Sequence, residues 1–166
     1  MALVPGPEPP PSEWGLDPLR FAAVALFVSQ VHGLDSFPGI PDSHSLNGHP
    51  ISKVEIVGTV VMARVGEAFV RYVIDDGTGL LQCFYDLRDF GEGGRRAPPA
   101  GIALGSIACV SGRLRLRKSR FVGDPDTRTL SVASMRPVEG NNMVLHWLRV
   151  VKLSKEVYSQ PRIASK

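Results

Sequence analysis

Val54-Glu55-Ile56-Val57-Gly58-Thr59-Val60-Val61-Met62-Ala63-Arg64-Val65 is the stretch that decides the fold. It is rich in β-branched residues, and both alternating sets are largely apolar: Val54, Ile56, Val60 and Met62 against Val57, Val61, Ala63 and Val65. That composition predicts one long strand covered on both faces. Glycine inside a strand commonly marks a bend or bulge, so Gly58 predicts a first strand that bends and serves both halves of a small barrel. Downstream, residues 68–75 read as a second strand. Asp75-Asp76-Gly77-Thr78-Gly79 is a turn, and residues 80–85 read as a third strand.

Residues 86–105 hold Gly91, Gly93, Gly94, Pro98, Pro99 and Gly101, an irregular crossing connection with room for a short helix at most. Residues 106–117 alternate Ala108, Val110, Leu114 and Leu116 inwards with Arg113, Arg115 and Arg117 outwards. After a turn at Gly123-Asp124-Pro125-Asp126, residues 127–135 make a fifth strand. The expectation is an all-β chain: a single five-stranded Greek-key barrel of the OB type with a C-terminal α-helix. The helix is expected over 142–158 with Asn142 as its N-cap.

Around this core (51–138) the predicted organisation is one domain over 21–160. A Pro-rich disordered lead-in occupies 1–20, and a tail occupies 161–166. The apolar run Phe21–Val28 reads as a short buried strand, with a helical turn as the alternative, and 33–50 as a loop rich in turn residues. The 166 residues are 43% apolar with a formal charge of +3, a mild excess that fits a nucleic-acid partner without demanding one. Cys83 and Cys109 each sit in an apolar stretch and read as buried thiols, not as a disulfide framework. The start carries no basic leader, and no apolar run approaches the ~20 residues of a membrane span, so a soluble intracellular protein with no membrane partner is expected.

No catalytic constellation emerges. Asp75 and Asp76 fall in a turn, not on one face of a strand. His32, His44, His49 and His146 are scattered without ligand spacing and read as solvent or capping residues. Gly91-Glu92-Gly93-Gly94-Arg95 lacks the Gly-Lys-Ser/Thr ending of a phosphate loop. The chain therefore reads as a binding protein, with neither catalytic nor metal-ligating residues and no cofactor.

The binding signal is local. Between Arg113 and Arg136 lie seven basic residues against two acidic ones, on the fourth strand, the following loop and the fifth strand, which border the oligonucleotide groove of OB folds. The nucleic-acid-binding candidates are Arg71, Arg113, Arg115, Arg117, Lys118 and Arg120, with Phe69, Tyr85 and Phe121 as stacking surfaces; the alternative is a solvated basic face with Phe69 and Tyr85 packed in the core. The C-terminal helix adds a second signal. Its apolar residues fill two stripes, Met143, Val150, Leu153 and Val157 in one and Val144, Trp147, Leu148, Val151 and Tyr158 in the other. A barrel covers one stripe, so a second chain is expected against the helix, with Met143, Val144, Trp147, Leu148, Val150, Val151, Val157 and Tyr158 as partner-binding candidates.

Ile56-Val57-Gly58-Thr59-Val60-Val61, Val73-Ile74-Asp75-Asp76-Gly77-Thr78-Gly79, Cys83 and Leu145-His146-Trp147-Leu148 together resemble the plant-type Stn subunit of the telomere-capping CST complex, a relative of the replication protein A middle subunit. The resemblance covers roughly residues 20–160. It implies a non-catalytic nuclear subunit at chromosome ends (telomeres). The implied partners are a small OB-fold Ten subunit, a large multi-OB Ctc subunit, DNA polymerase alpha-primase and G-rich single-stranded DNA. Two departures from the family pattern stand out: Asp86 occupies the place where many members carry tryptophan, and the chain ends at Lys166 without the winged-helix region of longer members.

Overall fold

A computed structural model describes residues 10–40, 42–88, 94–118, 123 and 126–160. In chain order the elements are a 3-10 turn (Pro11–Leu16), β1 (Ala23–Ala25), α1 (Val28–His32), β2 (Asp35–Ser36), β3 (His44–Leu46), β4 (His49–Ile51), β5 (Lys53–Val65), β6 (Phe69–Asp75), β7 (Leu80–Asp86), β8 (Ile107–Arg117), β9 (Thr127–Pro137) and α2 (Gly140–Leu153). One turn of π-helix, Ser154–Tyr158, continues α2. Strands β5 to β9 close the five-stranded barrel expected from the sequence.

Closure depends on β5 changing partners. Lys53–Thr59 pairs antiparallel with β8, and Thr59–Val65 pairs antiparallel with β6, so Thr59 is the pivot. The register slips between Val60 and Met62, leaving Val61 as the bulged residue. Gly58 serves close approach: a Cβ there would stand 2.5 Å from the Asp75 carbonyl oxygen. The other side closes through a parallel contact of Gln82–Phe84 with Thr129–Ser131. Ile56, Val60, Tyr72, Ile74, Leu81, Cys83, Val110, Leu114 and Leu130 fill the interior. The expected coverage of β5 on both faces ends at Val60: Val61 is 42% and Val65 63% exposed.

The N-terminal third differs from the sequence expectation. The 3-10 turn carries Trp14, which is buried and lies 4.6 Å from the Phe37 ring, so the lead-in joins the domain from Pro11 onward. Residues 1–9 of that lead-in and 161–166 of the tail lie outside the described residues. Of Phe21–Val28, Ala23–Ala25 forms the predicted strand, parallel to β5, while Val28 begins α1. The supposed loop over 33–50 contains the small antiparallel sheet β2-β3-β4. These strands are two or three residues long, too short for any alternation to declare itself.

The Asp-Asp-Gly-Thr-Gly turn has a structural task beyond joining two strands. Asp76, buried, accepts the Val28 amide at 2.8 Å and, through its other oxygen, the Thr78 amide and hydroxyl at 2.9 and 2.7 Å. Thr78 Oγ1 in turn accepts the Ser29 amide at 3.0 Å. The turn thus supplies from a distance the acceptors that the first amides of α1 need. Asp76→Ala is expected to cost about 2–3 kcal/mol, because a buried amide loses its acceptor and the turn its brace. The check is thermal unfolding, with the midpoint lowered by roughly 5–10 °C for a domain of this size.

Helix α2 begins at Gly140, with Glu139 at the N-cap position and no side-chain cap bond, so Asn142 lies inside the first turn instead of capping it. Its C-terminal end is clasped by the N-terminal sheet: Asn47 Nδ2 donates to the Tyr158 carbonyl at 2.8 Å, and His49 Nε2 lies 3.1 Å from the Gln160 carbonyl. His49 Nδ1 is 2.8 Å from the buried Asp17 carboxylate. The Tyr158 hydroxyl donates to the Ala25 carbonyl at 3.0 Å. His44, His49 and His146 are all buried, contrary to the solvent reading; His32 alone is exposed, its Nε2 2.8 Å from the Leu80 carbonyl. Among the described residues no helix is long and apolar enough to cross a membrane, and no group of three or more His, Cys, Asp or Glu residues could hold a metal ion.

Candidate nucleic-acid and partner interfaces

The outer face of the barrel is set by strand parity. On β6 Val70, Tyr72 and Ile74 point inwards, so Phe69, Arg71, Val73 and Asp75 point outwards. On β7 Leu81, Cys83 and Tyr85 point inwards, so Leu80, Gln82, Phe84 and Asp86 point outwards. Tyr85 therefore belongs to the core and not to a stacking surface, a correction to the sequence reading. The aromatic that faces out is Phe84, which meets Phe69 edge-on with ring centroids 5.3 Å apart. Gln82 was the available signal: a polar residue two before Phe84 fixes which alternation is wet.

Cross-strand register carries this face around the barrel. Arg64 pairs with Arg71, Arg71 with Phe84, Phe84 with Ser131, and Ser131 with Arg113. One continuous row thus places an aromatic ring between guanidinium groups drawn from three strands. Phe69 adjoins it at the β5–β6 end. Arg95 Nη2 donates to the Gly66 carbonyl at 2.9 Å in the β5–β6 connection, and the Arg96 guanidinium lies 5.1 Å from the Tyr85 ring. Sequence reasoning singled out Arg71, Arg113 and Phe69 but missed Arg64 and Phe84, which only the register brings together. Asp86 lies opposite Phe69 across β6 and β7, and hydrogen bonds from Arg88 hold its carboxyl down to about 2, so it is an anion already satisfied.

The strand-four arginines divide. Arg113 and Arg117 are exposed, and Lys118 is exposed just beyond them. Arg115 makes an ion pair with Asp42, whose other oxygen accepts the Leu116 amide at 3.3 Å. Arg128 is taken up by structure: Nη1 donates to the His32 carbonyl at 2.9 Å and Nη2 to the Leu34 carbonyl, stopping α1. Burial, and after it the charge of this guanidinium, push the His44 imidazole down to about 4, so that ring is neutral in the folded chain near neutral pH. Arg120 and Phe121 lie outside the described residues.

On α2 the two apolar stripes separate. Val150, with His146, faces the barrel, and Arg149 Nη1 donates to Glu55 at 2.9 Å alongside. Val144, Leu148 and Val151 are exposed at 50%, 62% and 43%, with Leu145 beside them. Met143 and Trp147 are half-buried. Two partner-binding expectations are corrected. Val150 is fully buried, and Tyr158 is buried because the π-turn inserts a register shift that swings it inwards and leaves Val157 outside.

Barrel, flanking N-terminal sheet and C-terminal helix define an OB-fold domain. The solved structure of the S. pombe Stn1-ten1 complex superposes with a TM-score of 0.64 at 21% identity, covering 82% of this chain and 94% of that one. A replication protein A heterotrimer bound to ssDNA gives the same TM-score and identity, with 81% and 96% covered. By sequence the chain is similar to CST complex subunit STN1 of Arabidopsis thaliana, 29% identical over 156 residues, 84% of this chain and 94% of that one. It is also 42% identical over 76 residues to CST complex subunit STN1 of Ailuropoda melanoleuca, 46% of this chain and 21% of that one. The match thus spans about a fifth of that animal relative. No family model matches the chain. The resemblance to Stn subunits read from the sequence is matched by the Arabidopsis relative over 84% of this chain.

Proposed function

We propose that the chain is a non-catalytic OB-fold subunit of a telomere-capping CST complex, nuclear and located at chromosome ends. In this reading it joins a small OB-fold Ten subunit and a large multi-OB Ctc subunit, binds G-rich single-stranded DNA, and assists DNA polymerase alpha-primase in complementary-strand fill-in. The observation that carries the proposal is the uncovered apolar stripe of Val144, Leu148 and Val151 on a helix already packed by its other side. A soluble domain keeps such a stripe for a partner. The match to Arabidopsis STN1 over nearly its whole length supports the choice of complex.

Pull-down from nuclear extract with the intact chain is expected to recover a small OB protein and DNA polymerase alpha-primase. Recovery of the large replication protein A subunit in their place would move the chain to the replication protein A middle-subunit reading, which the equal superposition supports.

Direct contact with DNA is the second element of the proposal, and the row Arg64, Arg71, Phe84, Arg113 supports it. Phe84→Ala is expected to weaken single-strand binding about 5- to 100-fold, the loss of one stacking platform, whereas Tyr85→Phe leaves it unchanged. Fluorescence anisotropy with a labelled G-rich strand reads both. Equal affinity in all three proteins, with the strand still bound, would assign contact to another face. Failure of the intact chain to bind would favour a structural heterodimer subunit whose partners hold the DNA.

A further inference from the structure

We infer that Arg115, the Leu116 backbone amide and Lys118 form a phosphate subsite that the chain itself occupies with Asp42. The inference rests on the single-strand reading of the neighbouring row. Three observations carry it. First, Arg115 points to the same outer side of β8 as Arg113 and Arg117, yet among these three it alone carries an intramolecular carboxylate among the described residues. Second, Asp42 does not merely approach the guanidinium: one oxygen takes Arg115 Nη1 and the other the Leu116 N–H at 3.3 Å. A guanidinium nitrogen and a backbone amide converging on two oxygens of one anion is the donor set that binds a nucleic-acid phosphate. The carboxylate stands where two phosphate oxygens would sit. Third, Asp42 and Lys118 line one open cleft with Leu116, so a further cation borders the place.

The contact is built to be exchanged. The Arg115 and Asp42 side chains are 49% and 24% exposed, so water and salt reach the pair, and such pairs add little to stability. Asp42 holds φ at +57°, in the left-handed region that aspartate tolerates at modest cost, and Gly39 precedes it at +77°. A strand running along the arginines of β8 must displace this carboxylate before Arg115 contributes. The competitor sets a threshold: Arg113 and Arg117 are available at once, Arg115 only to a phosphate that outcompetes Asp42.

The test measures binding of the full chain to a fluorescein-labelled oligo-dT of about 16 nucleotides across a salt series. Asp42→Asn keeps the shape and removes the competing charge. It is expected to bind about 3- to 10-fold tighter, with the log–log salt slope steeper by about 0.7, one more phosphate contact on a single strand. Arg115→Ala in the otherwise intact chain is expected to change affinity less than 2-fold, and in the Asp42→Asn background to abolish the gain. An Asp42→Asn protein with native circular dichroism and unchanged or weaker binding overturns the proposal. Inorganic phosphate supplies the second readout: the Arg115 Nε–H resonance should shift on titration in Asp42→Asn and not in the intact chain. That shift without any oligonucleotide binding would retain the subsite and refute the single-strand reading. Binding without the shift would do the reverse.

Discussion

Replacing Val144 and Leu148 together by glutamate should abolish capture of the small OB-fold partner while leaving the isolated barrel as stable as before. The two side chains are 50% and 62% exposed and lie on the side of α2 turned away from Val150 and the barrel. In the free chain glutamate there meets water, and glutamate is a good helix former, so unfolding should shift by less than about 0.5 kcal/mol. In a complex each carboxylate would be pressed into an apolar contact without a counter-charge. An uncompensated buried charge costs about 3–5 kcal/mol, so the pair should lose at least about 3 kcal/mol, over 100-fold in affinity. Trp147 makes a poorer target, because it is half-buried near the Asp-Asp-Gly-Thr-Gly turn and its loss would disturb the fold. Co-purification with the partner beside thermal unfolding of the free chain reads both halves. Retained partner binding at native stability would move the interface elsewhere.

The largest effect on stability is expected at Gly112. β8 and β9 change register there, with Ser111 opposite Ser134 but Gly112 opposite Val132, so Ala133 is the extra residue. At that bulge the strands come so close that a Cβ on residue 112 would lie 2.1 Å from the Ser131 carbonyl oxygen and 3.0 Å from the Val132 Cα. Both obstacles are backbone, so no rotamer change relieves them, and β8 is fixed on its other edge by β5. Alanine must therefore open the β8–β9 ladder that closes the barrel. A cost above about 4 kcal/mol is expected, a large share of the 5–15 kcal/mol that holds a domain together. Gly112→Ala should be recovered largely insoluble or melt more than about 10 °C low. A neighbouring Ser111→Ala control should stay within a few degrees. A soluble Gly112→Ala protein with a native melting point would show that the bulge yields more easily than its geometry implies.

Much of this architecture was legible in the residues because the barrel strands obey period two. Ala108, Val110 and Leu114 are buried where alternation put them, and Arg113 and Arg117 are exposed where it left them. β7 resisted because both of its alternations contain an aromatic; Cys83 and Tyr85 form one set and Gln82 and Phe84 the other, and only the polarity of Gln82 separates them. The helix resisted for a different reason. Two apolar stripes on one helix do not say which faces home, and the π-turn after Leu153 then moved Tyr158 and Val157 between them. The N-terminal sheet escaped because its strands are short and its stability lies in distant contacts. Asn47 and His49 reach a helix more than 100 residues away, a link that no local pattern records. For the candidate site, residue types were readable but adjacency was not, since Arg64, Phe84 and Arg113 become neighbours only through register.

The clasp between the N-terminal sheet and the end of α2 also sets the order in which the molecule can be made. Ala25, Asn47 and His49 find their partners at Tyr158 and Gln160, separations of 133 and 111 residues. A chain leaving the ribosome from its N-terminus therefore carries β1, α1 and the small sheet without these contacts until α2 is out. High contact order of this kind slows folding and leaves apolar surface waiting. The N-terminal third is therefore expected to complete its contacts last. Its hydrogen exchange should reach full protection last in a pulse-labelled refolding experiment.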